Sequence, residues 1–338
     1  MVIYDPITGQ GDCRVIPDHR PICFYHGADN DGKLAGAIVK LAYEKAGDDI
    51  VMYPWDYGQP FPWDKVEGRE VVMVDLALQP FSEHAKLARL ANKFVWIDHH
   101  KTAINEFDVA TASMDGVPPM PGLQRTDFAA CELAWFYYNL EPAVSLKEQL
   151  DANKLPTGVR WVGRYDIWNH SDPDTLPFKY GLDSHQIDPS KEDCDWDLLR
   201  AMITGWVKRA DQLSPIGRVL RDGKVIYEYT KINFKKYAES AAFTTVLDGH
   251  SVIALNRLYG GSQSIEAVFE QGKHEFMVAF GYTPKSNGQW TVNMYTEEGK
   301  IDVGSIAKKF GGGGHAGAAG FQISIEGIQQ LCAGELTP

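Results

Sequence analysis

VWIDHHKT, residues 95–102, places a carboxylate and two adjacent imidazoles, Asp98, His99 and His100, where an apolar run stops. Two other apolar runs end the same way. PICFYH (21–26) delivers His26 and passes into GADNDG with Asp29 and Asp31, and VVMVD (71–75) delivers Asp75. GRYDIWN (163–169) adds a fourth source, Asp166. Carboxylates gathered this closely repel one another and raise their own pKa values. Bound cations remove that repulsion, and mixed Asp/His ligation suits Mn(II) or a similar divalent metal better than calcium. DNDG also lacks the following glutamate that a calcium loop requires. Two cations sharing one carboxylate could flank a phosphorus atom, generate a hydroxide and neutralise developing charge.

Taken singly, each residue has an ordinary explanation. DNDG reads as a turn or helix cap, since Asp, Asn and Gly are turn residues. Asp75 could end its strand as a cap, and Asp166, between Tyr165 and the Ile167-Trp168 pair, could cap a helix. Successive strand side chains point to opposite faces, so two neighbouring histidines need two different surroundings. A dinuclear centre accounts for all of these residues together, whereas the ordinary readings must explain each one separately.

The elements that would position them alternate regularly. Strands are expected at 21–26, 49–56, 70–77 and over FVWIDHH (94–100), with helices at 32–47 and 82–93 between them. Strands apolar on both faces and separated by helices predict a mostly parallel sheet with helices on both faces. Ligands bind beyond the carboxyl ends of strands in such sheets, where His26, Asp29, Asp31, Asp75, Asp98, His99 and His100 all fall. FAACELAWFYYNL (128–140) reads as a core helix, and 171–197, rich in Asp, Pro and Ser, as a long surface loop. The C-terminal part has strand-like runs at 250–258, 274–283 and 289–297. SNGQ (286–289) suits a hairpin turn between the last two, and a short helix follows over 302–310.

A chain of 338 residues exceeds the usual single-core size and predicts more than one domain. The boundaries expected are a metal-binding α/β domain over 1–195, a helical connector over 196–245 and a smaller α/β domain over 246–338. The net charge of −12 argues against long nucleic acids, which basic surfaces hold. A short phosphorylated substrate suits an acidic chain whose attraction comes from local cations. The five cysteines form no CxxC, which disfavours a thiolate zinc site or disulfide framework and suits the cytoplasm. No apolar stretch approaches a membrane span.

GGGGH, 311–315, is the second strong pattern. Four glycines contribute no side chain and lose the most entropy on folding. Packing gives no reason for them, but close approach to an anion through several N–H groups does. His315 adds a donor beside Gly311, Gly312, Gly313 and Gly314. A flexible linker or a helix C-cap after AKKF is the rival reading, although one glycine would serve the cap and a linker sits badly before the resumed pattern AAGFQI.

Asp98-His99-His100 after a strand, DND upstream, Asp75 between, Asp166 downstream and GGGGH near the C-terminus together resemble the DHH phosphoesterases. The narrower likeness is to the subgroup with the DHH-associated C-terminal domain. That subgroup includes nano-RNA and cyclic-dinucleotide phosphodiesterases, phosphoadenosine-phosphate phosphatases and RecJ-type exonucleases. The resemblance implies two Mn(II), with Mg(II) or Co(II) able to substitute. His26, Asp29 and Asp75 would hold one ion; Asp31, Asp75, His99 and Asp166 the other. Asp98 would orient a ligand, and His100 would contact the scissile phosphate or assist the leaving oxygen. Gly311 to Gly314 and His315 would clasp a terminal phosphate. The family's arginine before the final helix is replaced by VNMYTEEG (292–299), leaving Arg257, Arg164 or Lys308 as alternatives. The implied activity is hydrolysis of short oligonucleotides or (cyclic) dinucleotides, with neither membrane nor long duplex as partner and a homodimer left open. The alternatives are an exopolyphosphatase or pyrophosphatase, a single-strand exonuclease, and a nucleotide-binding module without turnover. Aromatic faces such as Trp168 or Tyr295 could stack on a base.

Overall fold

The computed structural model describes residues 3–4, 11–12, 19–113, 117–139, 148, 150–151, 154–205, 214–282, 288–296, 301–314 and 316–338. They divide into two compact units, Met1–Val225 and Ile226–Pro338. The N-terminal unit begins with a two-stranded pair, β1 (Ile3–Tyr4) and β2 (Gly11–Asp12). Its main sheet is built from β3 (Ile22–His26), β4 (Val51–Trp55), β5 (Glu70–Val74), β6 (Lys93–Asp98) and β7 (Gly122–Gln124). The order is β4-β3-β5-β6-β7 and every pairing is parallel, as the double-sided hydrophobicity predicts.

Helices cover both faces. Tyr25, Val72, Val74, Val95 and Ile97 pack with α1 (Asn30–Ala46), α4 (Ala130–Asn139), α5 (Thr157–Asp166), α6 (Thr175–Leu182) and α7 (Trp196–Thr204). Ile22, Phe24, Val71, Met73 and Trp96 pack on the other side with α2 (Phe81–Leu90) and α3 (Lys101–Ser113). Strand residues of alternating parity thus feed two cores, which fixes the register because a one-residue slip would exchange them.

The loop expected over 171–197 is not all loop, since α6 lies within it. Its Pro177 and Gly181 look like helix breakers but meet α8 (Pro215–Ala241) at close range. A Cβ on Gly181 would stand 2.1 Å from the Val219 carbonyl oxygen, and one on Gly223 would stand 1.9 Å from that of Pro177. Small residues let the two helices touch through their backbones.

The two units divide within α8, which occupies much of the expected 196–245 connector. The C-terminal unit is a six-stranded mixed sheet of β8 (Phe243–Leu247), β9 (His250–Asn256), β10 (Phe276–Tyr282), β11 (Trp290–Tyr295), β12 (Gly313–Gly314) and β13 (Ala318–Ile323). The order is β12-β13-β11-β10-β9-β8, with only β9 and β10 parallel. Helices α9 (Val303–Lys309) and α10 (Ile325–Ala333) cover one face. Strands β10 and β11 pair antiparallel as a hairpin would, but Ser286 and Asn287 of the expected turn lie outside the described residues. Cys23 and Cys131 are buried, Cys332 is exposed, and Cys13 lies outside the described residues. Among the described residues no helix is long and apolar enough to cross a membrane.

Candidate metal centre

β3, β5 and β6 are neighbours in the sheet, so their carboxyl ends deliver His26, Asp75 and Asp98 side by side. After β3 the chain turns directly into α1. Asp29 is the N-cap of that helix, its carboxylate accepting from the Gly32 N–H at 2.9 Å, so the ordinary reading of DNDG is also true. Gly32 is required there. A Cβ on it would meet the His26 carbonyl oxygen at 2.3 Å, so any side chain would drive α1 away from β3.

Asp31 is buried, and its two oxygens accept from the Ala130 and Cys131 N–H groups at 2.8 and 2.9 Å. Those are donors left open at the N-terminus of α4, where a negative charge is favoured. Asp166 stands at the opposite kind of position. It is the last residue of α5, where the helix dipole disfavours a carboxylate. Asp75 follows β5 with φ of 59°, a left-handed conformation that costs a non-glycine residue on the order of 1 kcal/mol or more. Its turn is fastened by three bonds: Trp96 Nε1 donates to the Leu76 carbonyl at 2.9 Å, the Ala77 N–H donates to the Tyr57 hydroxyl at 3.2 Å, and the Leu78 N–H donates to His84 Nδ1 at 3.3 Å.

The six residues expected to ligate metal are brought together. His26 Nδ1 lies 2.7 Å from Asp29 and 3.5 Å from Asp75. His99 Nε2 lies 3.2 Å from Asp75, 3.3 Å from Asp166 and 3.9 Å from Asp31. The ligand atoms of His26, Asp29 and Asp75 fall within 4.8 Å of one another, as do those of Asp31, His99 and Asp166. Asp75 faces both histidines. Neither its buried Oδ1, 3.2 Å from His99 Nε2, nor His26 Nδ1, 2.7 Å from Asp29, makes a well-directed hydrogen bond. Orphaned, inward-facing donor and acceptor atoms of this kind fit a pair of divalent cations.

The electrostatics agree. Burial, with the Asp75 charge next in importance, pushes the Asp31 carboxyl up to about 7. Burial and the Asp31 charge push Asp166 up to about 8. Burial opposes the charged form of His26 and His99, but the surrounding aspartates outweigh it and raise both to about 10. Burial would also raise Asp75, yet its contacts with His26 and His99 hold it below the usual carboxylate range. The cluster therefore retains protons where cations would otherwise balance the charge.

Asp98 and His100 form a pair at the edge of this cluster, and ligand atoms of His100, His99 and Asp75 also fall within 4.8 Å of one another. Asp98 is fully buried, its Oδ1 accepts from the His99 and His100 N–H groups at 2.8 and 3.3 Å, and it lies 2.7 Å from His100 Nδ1. Its side chain thus orients His100, while it touches His99 only through the backbone. His100 Nδ1 is also 3.8 Å from Asp75. Burial opposes a charged His100, but Asp98 outweighs it and raises the imidazole above its ordinary value.

Two buried or half-buried acids went unnoticed in the sequence. Asp56, just after β4, lies 3.6 Å from His26 Nε2 and accepts from the Gly27 N–H. It ends DIVMYPWD as Asp75 and Asp98 end their runs, so the strand-end pattern could have found it. Glu132 is buried in α4, accepts from the Ala129 N–H, and is pushed up to about 7 by burial. The clue was a single charge in an otherwise apolar helix.

The glycines behave differently from expectation, and packing does use them. Gly311 has φ of 77° and follows α9 as part of its C-terminal cap, with the Gly312 N–H donating to the Ala307 carbonyl at 2.9 Å. A Cβ on Gly312 would stand 2.1 Å from the Gly320 carbonyl oxygen, and one on Gly314 would stand 2.6 Å from Ala319 Cα. Gly311 and Gly313 face open space. His315 lies outside the described residues. Of the aromatic candidates, Trp168 is exposed and Tyr295 is half-buried in β11. Arg164 contacts Asp172 at 3.3 Å, and Arg257 stacks on Phe234 and Tyr237.

Residues 264–333 match the DHHA1 domain. This joins the Asp98-His99-His100 triplet and its cluster to the C-terminal domain that the resemblance implied. The C-terminal unit thus carries the match to a DHHA1 domain. The fold is shared with a solved DHH domain described as a member of the s1p family of ribosomal proteins, PF0399. That likeness has 16% identity and a TM-score of 0.57, over 94% of this chain and 85% of the other. A pGpG-specific phosphodiesterase, PggH from Vibrio cholerae, is 15% identical with a TM-score of 0.48, over 93% and 96%. The uncharacterized protein R106 of Acanthamoeba polyphaga mimivirus is 22% identical over 329 residues, 91% of this chain and 68% of that protein.

Proposed function

We propose that this protein is a Mn(II)-dependent phosphoesterase that hydrolyses short oligonucleotides or linear or cyclic dinucleotides. The observation that carries this reading is the convergence of three strand ends and one helix end on two ligand sets that meet at Asp75. His26, Asp29 and Asp75 would hold one cation, and Asp31, Asp75, His99 and Asp166 the other. Bound there, the cations would supply positive charge to the phosphate and lower the pKa of a water molecule.

The chain's own residues do the rest. Asp98 engages Nδ1 of His100 and favours its protonated form. That leaves Nε2 to face the substrate and give a proton to the leaving oxygen as the phosphorus–oxygen bond breaks. The buried turn 76–78 holds Asp75 in a conformation it would not adopt alone. The glycines 311–314 and His315 of the DHHA1 domain would take a terminal phosphate, with Gly311 and Gly313, where a Cβ would meet no neighbouring atom, open to close approach. The acidic chain offers no long basic track, which favours a short substrate over a polymer.

Purified protein with Mn(II) is expected to release nucleoside monophosphate from a diribonucleotide or a cyclic dinucleotide. Pyrophosphate, polyphosphate and long single-stranded DNA should be poorer substrates in the same panel. Asp75→Ala should abolish turnover, and activity surviving that substitution would refute the dinuclear assignment.

A further inference from the structure

We propose that a cavity opening beside the acid cluster, between α1, α5 and α6, takes the base and sugar of the nucleotide adjoining the scissile phosphate. The inference rests on the phosphoesterase reading and adds which part of the N-terminal unit selects the substrate. The cavity has a volume of about 400 Å³ and runs from Asp29, Asp31 and Asp166 to the segment 178–187. That volume falls within the range of roughly 300 to 1,000 Å³ typical of small-molecule sites.

Its lining is divided. Trp161, Phe178, Leu182 and Ile187 back it and are almost wholly buried, the half-buried Tyr165 completes the apolar wall, and the Lys179–Asp183 ion pair lines it beside them. Inorganic phosphates gain nothing from such a wall, whereas a planar base gains by leaving water against it. Polar groups stand at the edge. Gln186 is exposed and its Oε1 accepts from the Asp188 N–H at 3.2 Å. Its amide NH2 has no partner among the described residues and can donate to a base edge.

Lys33 lines the same cavity near the start of α1, where the helix dipole disfavours a cation. Its ammonium makes no ion pair or hydrogen bond among the described residues. An unpaired cation in that position, next to a cluster that attracts phosphate once loaded with metal, suits a second phosphate oxygen of the same nucleotide. The cavity is thus graded from phosphate chemistry at the acids to base chemistry at 178–187.

The test compares ligands that differ only in the base. Binding of the four ribonucleoside 5′-monophosphates and of ribose 5-phosphate to the Mn(II)-loaded protein is measured by calorimetry. At least one nucleotide should bind about tenfold more tightly than ribose 5-phosphate, the scale of one base contact. Gln186→Ala should reduce that preference severalfold without weakening ribose 5-phosphate. Lys33→Met should weaken nucleotides and ribose 5-phosphate by the same factor. Equal affinity for all five ligands, or a Gln186→Ala effect shared equally by ribose 5-phosphate, overturns the proposal. A retained preference in a protein that cleaves no phosphodiester supports the cavity and sinks only the phosphoesterase reading.

Discussion

His84 offers a quantitative test of how the Asp75 turn is held. Its ring is fully buried between Trp96 and Phe94, at centroid distances of 4.6 and 5.3 Å. Nδ1 accepts from the Leu78 N–H, which assigns the remaining proton to Nε2 and makes the ring neutral. Burial pushes its pKa down from 6.5 to about 3. The unfolded chain therefore binds more protons than the native one between those values, and stability falls as pH falls through that window. Each pH unit within it removes about 1.4 kcal/mol, so two units below 6.5 remove about 2.7 kcal/mol. Above pH 6.5 this contribution is fully present. His84→Leu abolishes the titration but leaves the Leu78 N–H unpaired, at a cost of about 1–3 kcal/mol. The variant should accordingly be less stable than the parent at pH 7.5 and gain on it by about 2.7 kcal/mol by pH 4.5, drawing level near pH 5 if the unpaired N–H costs about 2 kcal/mol. Urea unfolding in EDTA, followed by tryptophan fluorescence from pH 7.5 to 4.5, measures the difference directly. The acid cluster titrates in both proteins and cancels. A difference that stays constant across this range would show that His84 is not held neutral, and the account of the turn would fail.

Three further outcomes follow from the same geometry. Gly32→Ala should cost about 1–3 kcal/mol by overpacking α1 against β3, and should weaken Mn(II) binding because Asp29 and Asp31 move with the helix. Calorimetry on the variant checks both. Mn(II) binding should release protons and tighten from pH 6 to 9, because His26 and His99 at about 10, Asp166 at about 8 and Asp31 at about 7 must lose theirs to ligate. Titrations in buffers of different ionisation enthalpy count those protons, and a pH-independent affinity would contradict the assignment. Tyr25→Phe should lower stability by about 1–3 kcal/mol, because the Tyr25 hydroxyl donates to Asp188, which also accepts from Ser190. Thermal melts report that loss.

Periodicity exposed the parallel sheet because both faces of its strands are buried, leaving uninterrupted apolar runs such as VVMV and FVWI. The same runs marked where charge begins, which is why His26, Asp75 and Asp98 could be read as one rim. Composition misled where contact geometry overrode propensity. Pro177 and Gly181 are poor helix formers, yet α6 forms because Gly181 and Gly223 let it lie against α8. The packing role of Gly312 and Gly314 is hidden because a sequence does not display the strand that passes beside them. Asp56 and Glu132 differ again: a strand-end acid and a lone charge in an apolar helix are visible in the sequence, but the groups each one touches are not.

Asp31 leans on the open N–H groups of α4, and Asp29 on those of α1. Backbone dipoles, present in every folded copy, thus answer part of the repulsion among the acids. The scaffold need not wait for its ions in order to assemble. If the proposed metal-dependent reading holds, chelation should leave a folded, silent protein that regains its chemistry on refilling, so that supply of the ion, rather than refolding, would govern when it works.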